Sequence, residues 1–184
     1  GFQLALGPTS LPTNVDGLGF DPSGHNRRDG FPILGTLFAH FPDATLEGVI
    51  GHQELGAYAN PDARTVIVDA ETGAWMPHFV EREARAAGTG RDLLMLRPVA
   101  PLEHGRRYVV GIRGLVDEGG APVAAPDGFA ALRDGKGDVE ADLERQRTHY
   151  DDVVFPTLEQ AGFERSTLQL AWSLVTVSAE SSLG

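Results

Sequence analysis

The chain contains no cysteine and little positive charge, and each shortage excludes a class of protein. Without cysteine it has no disulfide, no thiolate metal ligand and no cysteine nucleophile. No apolar run approaches the roughly 20 residues that a membrane-spanning helix needs. The 15 Lys and Arg residues stand against 26 Asp and Glu residues, for a net charge of −11. A surface this acidic repels phosphate backbones, so we expect no nucleic-acid partner and no membrane insertion.

Recognised catalytic motifs are also missing. The sequence has no G-x-S-x-G, no H-E-x-x-H, no P-loop and no G-x-G-x-x-G after a strand pattern. No two histidines have a short metal-ligand spacing; they are His25, His40, His52, His78, His104 and His149. We therefore predict that the chain has no catalytic residue, no resident cofactor and no metal.

The patterns that are present favour β-strands. Apolar, alternating or β-branched segments predict strands at 2–6, 32–41, 65–69, 75–85, 93–98, 107–113 and 168–177. Turn residues at 69–73 predict a hairpin that joins the third of these to the fourth. Strands with turn signals about every 8–12 residues are typical of an all-β sandwich or barrel rather than a parallel α/β sheet.

One helical region interrupts the strands. Apolar residues at helical spacing predict a helix over about 138–162, with Asp138 as its N-cap and Gly162 as its end. Pro156 removes one backbone hydrogen bond inside this region, so we expect a kink or two consecutive helices.

An oxygen-rich loop near the beginning of the chain offers candidate calcium ligands. Its carboxylates, interleaved with glycines, are Asp16, Asp21 and Asp29. Hard cations bind such oxygens. The spacing matches no calcium-loop pattern, however, and Asp is also a common turn residue. A calcium-stabilised loop is therefore an alternative to the prediction that no metal binds.

The sequence patterns of two further groups of side chains indicate structural rather than catalytic or binding roles. The acidic residues of the helical region alternate with Arg145 and Arg147, as on a solvated helix face; they are Glu140, Asp142, Glu144, Asp151 and Asp152. Four aromatic residues could stack on a sugar, but aromatics in a sandwich more often fill the space between sheets; they are Trp75, Phe79, Tyr108 and Trp172.

The segments 96–112 and 114–123 carry a family pattern. They read P-x-x-P-L-x-x-G-x-x-Y-x-V followed by D-x-x-G, with Leu102, Gly105 and Tyr108 at the marked positions. This pattern resembles bacterial Ig-like domains of the surface-layer type. The resemblance implies that Leu102 closes one end of the sandwich, Gly105 takes a turn, Tyr108 and Val110 face the core, and residues 117–120 form a hairpin.

Together, the strand pattern and this resemblance predict a mainly β fold. It is an immunoglobulin-like antiparallel β-sandwich with an added helical segment at about 138–162. We expect an extended lead-in at 1–30 and the sandwich at 31–184. The sandwich would include a helical insertion at 126–163 and a final strand at 168–177.

A wider and looser resemblance extends over most of the chain. Residues 14–17, 29–31, 129–135 and 170–176 are similar to the N-terminal region of bacterial secreted lipases and lipoproteins, of the virulence-factor lipase N-terminal type. In that family the catalytic serine, acid and histidine belong to a downstream domain. The resemblance thus implies a non-catalytic, extracytoplasmic accessory module of a larger secreted or lipoprotein α/β-hydrolase. Its partner would be the neighbouring hydrolase-like domain of the same polypeptide.

Two other functions stay open at this point. The chain could be a cell-surface binding or adhesion module, with calcium in the loop of Asp16 to Asp29. It could also be a small ester hydrolase in its own right, with Ser173 or Ser23 as nucleophile, although neither serine lies on a strand-to-helix elbow. Because the chain begins at Gly1 rather than at a methionine, we expect that the natural start lies upstream.

Overall fold

The computed structural model describes residues 5–7, 11–84, 93–136 and 141–183. The strands in these residues are β1 (Leu37–His40), β2 (Thr65–Asp69), β3 (His78–Arg82), β4 (Leu93–Pro98), β5 (Arg107–Arg113) and β6 (Leu168–Val175). The helices are α1 (Ser23–Asn26), α2 (Asp127–Asp134), α3 (Ala141–His149), α4 (Phe155–Gln160) and α5 (Ala179–Leu183). A π-helical turn covers Tyr150–Val154, and 3₁₀ turns cover Leu55–Ala59 and Arg165–Thr167. None of the helices in the described ranges is long and apolar enough to cross a membrane.

The strands form two three-stranded sheets in which every pairing is antiparallel. The first sheet has the order β1-β4-β3 and the second the order β2-β5-β6. β4 and β5 are the central strands, and their bounds and those of β2 agree with the sequence prediction. Antiparallel sheets with an added helical segment are therefore present, and strands and helices contribute comparably to the chain.

The hairpin predicted between β2 and the strand after it forms only near its turn. The turn forms as expected, with Gly73 at φ 71° and a bridge between Val68 and Trp75. The last backbone bond of this ladder runs from the N–H of Met76 to the carbonyl of Ile67, over 2.7 Å. Beyond Met76 the chain leaves β2 for the other sheet, where the carbonyl of Pro77 accepts the N–H of Val99 over 2.9 Å. β3 then pairs with β4, in the other sheet.

The first hydrophobic cluster takes side chains from both sheets. Alternate residues of β5 contribute to it, namely Tyr108, Val110 and Ile112, as the period-two pattern predicts. The cluster's other members come from β1, β2, β3, β4, β6 and adjoining loops: Ala39, Phe41, Ala44, Ile67, Val80, Leu94, Leu96, Leu102, Leu115 and Leu174. The two sheets thus share one core.

A second hydrophobic cluster lies on the opposite face of the β2-β5-β6 sheet. Val66, Val68 and Val109 point to this face and pack against the helical region between β5 and β6. That region supplies Phe129, Val154, Phe155, Leu158 and Phe163. The second sheet is therefore covered on both faces, which explains why every residue of β2 is buried.

The helical region is divided, as Pro156 predicts. α3 ends at His149, the π-helical turn follows without a break, and Pro156 is the second residue of α4. At this junction the N–H of Phe155 bonds to the carbonyl of Tyr150, five residues earlier, as in a π-helix. Gly162 stops the region with φ 78°. Asp138, the predicted N-cap, lies outside the described residues.

The segment before β1 is less regular than predicted. Residues 5–6 are not in a strand, and the rest of the predicted strand at 2–6 lies outside the described residues. β1 begins only at Leu37, because a turn from Pro32 to Gly35 precedes it. Phe31 forms a parallel bridge with Thr176, which ties this segment to the end of β6.

Candidate functional site

The three candidate calcium ligands do not converge. Asp21 accepts hydrogen bonds from the backbone N–H and the hydroxyl of Ser23, at 2.9 and 2.7 Å, and the backbone bond lowers the pKa of its carboxyl. Asp29 accepts the N–H of Ser178 at 2.9 Å, which likewise lowers its pKa. Asp16 is exposed in a turn that Asn14 stabilises. Across the described ranges, no three His, Asp or Glu residues are placed to hold a metal.

The histidines are dispersed over the molecule. His25 and His40 are exposed, and His52 contacts the ring of Phe79 edge-on. The Nδ1 of His104 lies 3.0 Å from the carbonyl of Val177, next to the end of β6. His78 and His149 are the two histidines whose contacts bear on chemistry.

His78 is buried between the two sheets. Its Nδ1 lies 2.9 Å from the carbonyl of Met76, which can only accept, so Nδ1 carries the proton. Its Nε2, 2.9 Å from the hydroxyl of Thr65, is then the acceptor. Burial lowers the pKa of His78, and the hydrogen bond to Met76 opposes this. His78 is a satisfied neutral core residue.

The acidic helix face makes ordinary ion pairs. Glu144 pairs with Arg147 three residues later at 3.0 Å, and Asp151 pairs with Arg165 at 2.8 Å. Both carboxylates are largely exposed. Glu140 and the side chain of Asp142 lie outside the described part of the structure. This face is solvated, as the sequence indicates.

Three of the four aromatic residues pack inside the molecule or against its core, and the fourth, Phe79, is half-buried beside His52. Trp75 contacts Phe163 edge-on, with ring centroids 5.7 Å apart, and Trp172 packs against the cluster between the sheets. Tyr108 is fully buried, and its hydroxyl accepts the N–H of Glu103 over 2.8 Å. These positions match the structural role that the sequence favours.

A serine and a histidine meet on the helix-facing side of the second sheet. Ser173 in β6 and His149 at the end of α3 bring Oγ and Nε2 to 2.7 Å. Arg107, at the start of β5, donates from Nη1 to the same Oγ over 3.3 Å. The π-helical turn begins directly after His149, and the hydroxyl of Tyr150 donates to the carbonyl of Ala171. Tyr150, the first residue of this turn, thereby ties the end of α3 to β6.

The chemistry of this pair is limited by its surroundings. Burial lowers the pKa of His149, and the charge of Arg107 lowers it further, so the imidazole is neutral and can accept the proton of Ser173. The same cation disfavours the imidazolium that proton transfer would create. Within the described residues, no carboxylate hydrogen-bonds to the other ring nitrogen of His149. The group is a serine–histidine contact without the third member of a triad.

The sequence offered Ser173 as a candidate nucleophile and His149 as one of six histidines, but it did not predict that the two side chains meet. The signal that was available is the alternation in β6, which turns Ser173 away from Trp172 and Leu174 and toward the helices. The other serine that the sequence singles out, Ser23, is exposed and bonds to Asp21.

Large apolar side chains are exposed in the segment before β1. Gly17, at φ 78°, lies in a tight turn that the bridge between Thr13 and Gly19 closes. The apolar residues at and after this turn are Val15, Leu18, Phe20, Phe31 and Leu34, and each leaves half or more of its surface in solvent. When such side chains form one contiguous patch, the patch marks an interaction site more often than the rest of the surface does.

No family model matches the chain, and no curated protein matches it.

Proposed function

We propose that the chain is a non-catalytic immunoglobulin-like module that packs against a neighbouring α/β-hydrolase domain of the same extracytoplasmic bacterial polypeptide. The strand order supports the immunoglobulin-like part. If β1 to β6 are read as strands B to G, the two sheets are B-E-D and C-F-G. These are the sheets of a constant-type immunoglobulin domain without its first strand.

Tyr108 supplies a second, independent support. In immunoglobulin-like domains a tyrosine near the start of strand F hydrogen-bonds through its hydroxyl to the backbone a few residues upstream. Tyr108 is the second residue of β5 and binds the N–H of Glu103. Two neighbouring residues also support the resemblance. Leu102 is buried, as expected for a residue that closes the end of the sandwich, and Gly105 has φ 66°, as expected for a turn.

The observation that carries the accessory role is the exposed apolar segment before β1. Val15, Leu18 and Phe20 are exposed on a turn, not buried in either core cluster. A partner surface that removes them from water stabilises the assembly by about 25 cal/mol for each Å² buried. The neighbouring domain of the same polypeptide is the partner that the family resemblance implies.

The test compares the isolated chain with its full natural polypeptide by hydrogen exchange. We expect amides around 13–20 to exchange more slowly in the full polypeptide than in the isolated chain. A Leu18→Ser/Phe20→Ser double variant should lose this protection. The matched control is Val99→Ser, which removes an exposed apolar residue after β4. A natural polypeptide without a further domain, or equal exchange in both forms, contradicts the proposal.

The contact between Ser173 and His149 favours a second candidate, a small ester hydrolase. A nitrophenyl-ester assay on the purified chain tests it, with Ser173→Ala as the variant and Ser23→Ala as the control. Turnover that Ser173→Ala abolishes and Ser23→Ala preserves would establish the enzyme. Under the proposed accessory role, all three proteins hydrolyse the ester no faster than buffer.

A further inference from the structure

A cleft opens beside the end of β5, away from the serine–histidine contact. Its volume is about 730 Å³, which suits a small organic ligand. Arg64, Arg113 and Arg133 line one part of its wall. Another part is the segment 122–125, together with Ala130, and is mostly apolar. The cleft therefore combines positive charge with a hydrophobic surface.

Two of the three arginines are fixed by the protein itself. Arg113 donates to the carbonyls of Ala63 and Gly162, at 3.2 and 2.9 Å, and stacks on the ring of Phe163. Arg133 donates to the carbonyl of Leu168 over 2.8 Å and pairs with the carboxylate of Asp134. Their charges are held in place at the wall of the cleft.

Arg64 differs from both. Its Nη1 is buried, and no hydrogen-bond acceptor for it is found among the described residues. A buried guanidinium nitrogen without an acceptor is costly, because it has lost water and gained nothing in return. An atom that water does not reach is also out of a ligand's reach, so binding requires the Arg64 side chain to turn toward the cleft; no acceptor among the described residues holds this nitrogen back. A carboxylate presents two oxygens in the plane that a guanidinium fork matches.

The apolar wall is held in position before any ligand arrives. Gln169 of β6 is buried, and its Nε2 donates to the carbonyls of Leu115 and Val123 at 2.9 and 2.6 Å. Its Oε1 accepts the N–H of Leu115 over 2.6 Å. This amide fastens the segment 122–125 to the second sheet. A ligand entering here meets a preformed surface, so little binding energy is spent on ordering it.

The charge balance of the cleft opposes that of the whole chain. Against the three arginines stand Asp62 on the wall, which is exposed, and Asp134, which pairs with Arg133, so a small positive excess remains, carried by Arg64 and Arg113. The protein as a whole has a net charge of −11. A concave positive site on an acidic protein focuses the local field and attracts small anions.

We infer that this cleft binds an organic carboxylate with a small apolar body. The carboxylate lies against Arg64, between the fixed charges of Arg113 and Arg133. The apolar body lies along 122–125 and Ala130. This inference does not depend on the proposed accessory role.

The experiment titrates the purified chain with benzoate, acetate and inorganic phosphate at low ionic strength, followed by amide chemical shifts. Benzoate should bind saturably and about tenfold more tightly than acetate, because its ring meets the apolar wall. Arg64→Met keeps the apolar stem and removes the guanidinium, and should weaken benzoate binding about tenfold or more. Arg28→Met removes the same charge from an exposed site outside the cleft and should bind benzoate as the wild type does.

A second variant covers the case in which Arg64→Met does not fold. Ala124 is exposed on the cleft wall, so Ala124→Glu should leave the core intact while it places a carboxylate beside the arginines. This variant should not bind benzoate. The inference is overturned if benzoate does not saturate the wild type, if phosphate binds more tightly than benzoate, or if Ala124→Glu binds benzoate unchanged.

Discussion

At the residue scale, Tyr108 links the turn before β5 to the core between the sheets. Its ring is fully buried in the shared cluster, while its hydroxyl accepts the N–H of Glu103. The sequence predicted the orientation of the ring, because Tyr108, Val110 and Ile112 alternate. It could not show the acceptor role of the hydroxyl, which depends on the path of residues 102–106.

The change Tyr108→Phe removes this acceptor and leaves the ring in place. We expect a loss of about 1–2 kcal/mol in the free energy of unfolding, since a partly buried N–H remains unpaired. Urea denaturation measures this loss. Tyr58→Phe, at a half-buried tyrosine in the Leu55–Ala59 turn, is the control and should change stability by less than about 0.5 kcal/mol. Equal losses of stability in the two variants would show that the hydrogen bond from Glu103 to the hydroxyl of Tyr108 does not stabilise the fold.

His78 makes stability depend on pH. Because burial lowers its pKa in the folded protein, the unfolded chain binds a proton more readily, and folding loses stability as the pH falls below about 6.5. The slope contributed by one such group reaches about 1.4 kcal/mol per pH unit at most. Above that pH the contribution of His78 is constant.

Urea denaturation between pH 4.5 and 8 tests this dependence. His78→Leu should flatten the decline below pH 6.5, even though it lowers stability at pH 8 through the unpaired hydroxyl of Thr65. The matched control is His25→Leu, which removes an exposed histidine from α1. If the free energy of unfolding falls with pH as steeply in His78→Leu as in the wild type, then other groups cause the acid sensitivity.

At the element scale, local pattern predicted strands well and their partners poorly. β2, β4 and β5 have the predicted bounds because each is a short apolar run between turn residues. The partner of β3 was predicted wrongly, because sequence adjacency favours a hairpin and only Pro77 hinted at its interruption. The meeting of Ser173 with His149 is likewise tertiary, since it depends on how the divided helix lies on the second sheet.

The junction between the segment before β1 and the end of β6 depends on a glycine. A Cβ added at Gly30 would lie 2.5 Å from the backbone carbonyl of Thr176, which has no side-chain freedom to yield. Gly30→Ala should therefore break the bridge between Phe31 and Thr176 and cost about 2–3 kcal/mol. Thermal denaturation measures the loss. Gly51→Ala is the control, because nothing lies within 4 Å of its added Cβ; a similar loss there would contradict the explanation.

At the scale of the whole molecule, a calcium-stabilised loop is the alternative that the sequence offered to the prediction that no metal binds. Asp21 and Asp29 bind groups of the protein, at Ser23 and Ser178, and do not share a site. Because these carboxylates do not share a site, we expect melting temperatures with calcium and with chelator to coincide; a difference of several degrees would show that calcium reorganises the loop. Magnesium at the same concentration controls for general charge screening of the acidic surface. Asp21→Asn and Asp29→Asn together should remove any calcium-specific shift.

The core on one face of the β2-β5-β6 sheet and the helices on the other shield its central strand from solvent. β5 is flanked by β2 and β6, with the shared core on one face and the helices on the other. Its amide protons have no route to solvent that leaves the rest of the fold in place, so they should be the slowest to exchange. The amide exchange rates of the residues from Tyr108 to Ile112 therefore report the unfolding of the entire domain. The exchange rates of outer segments can be compared with them to identify local opening.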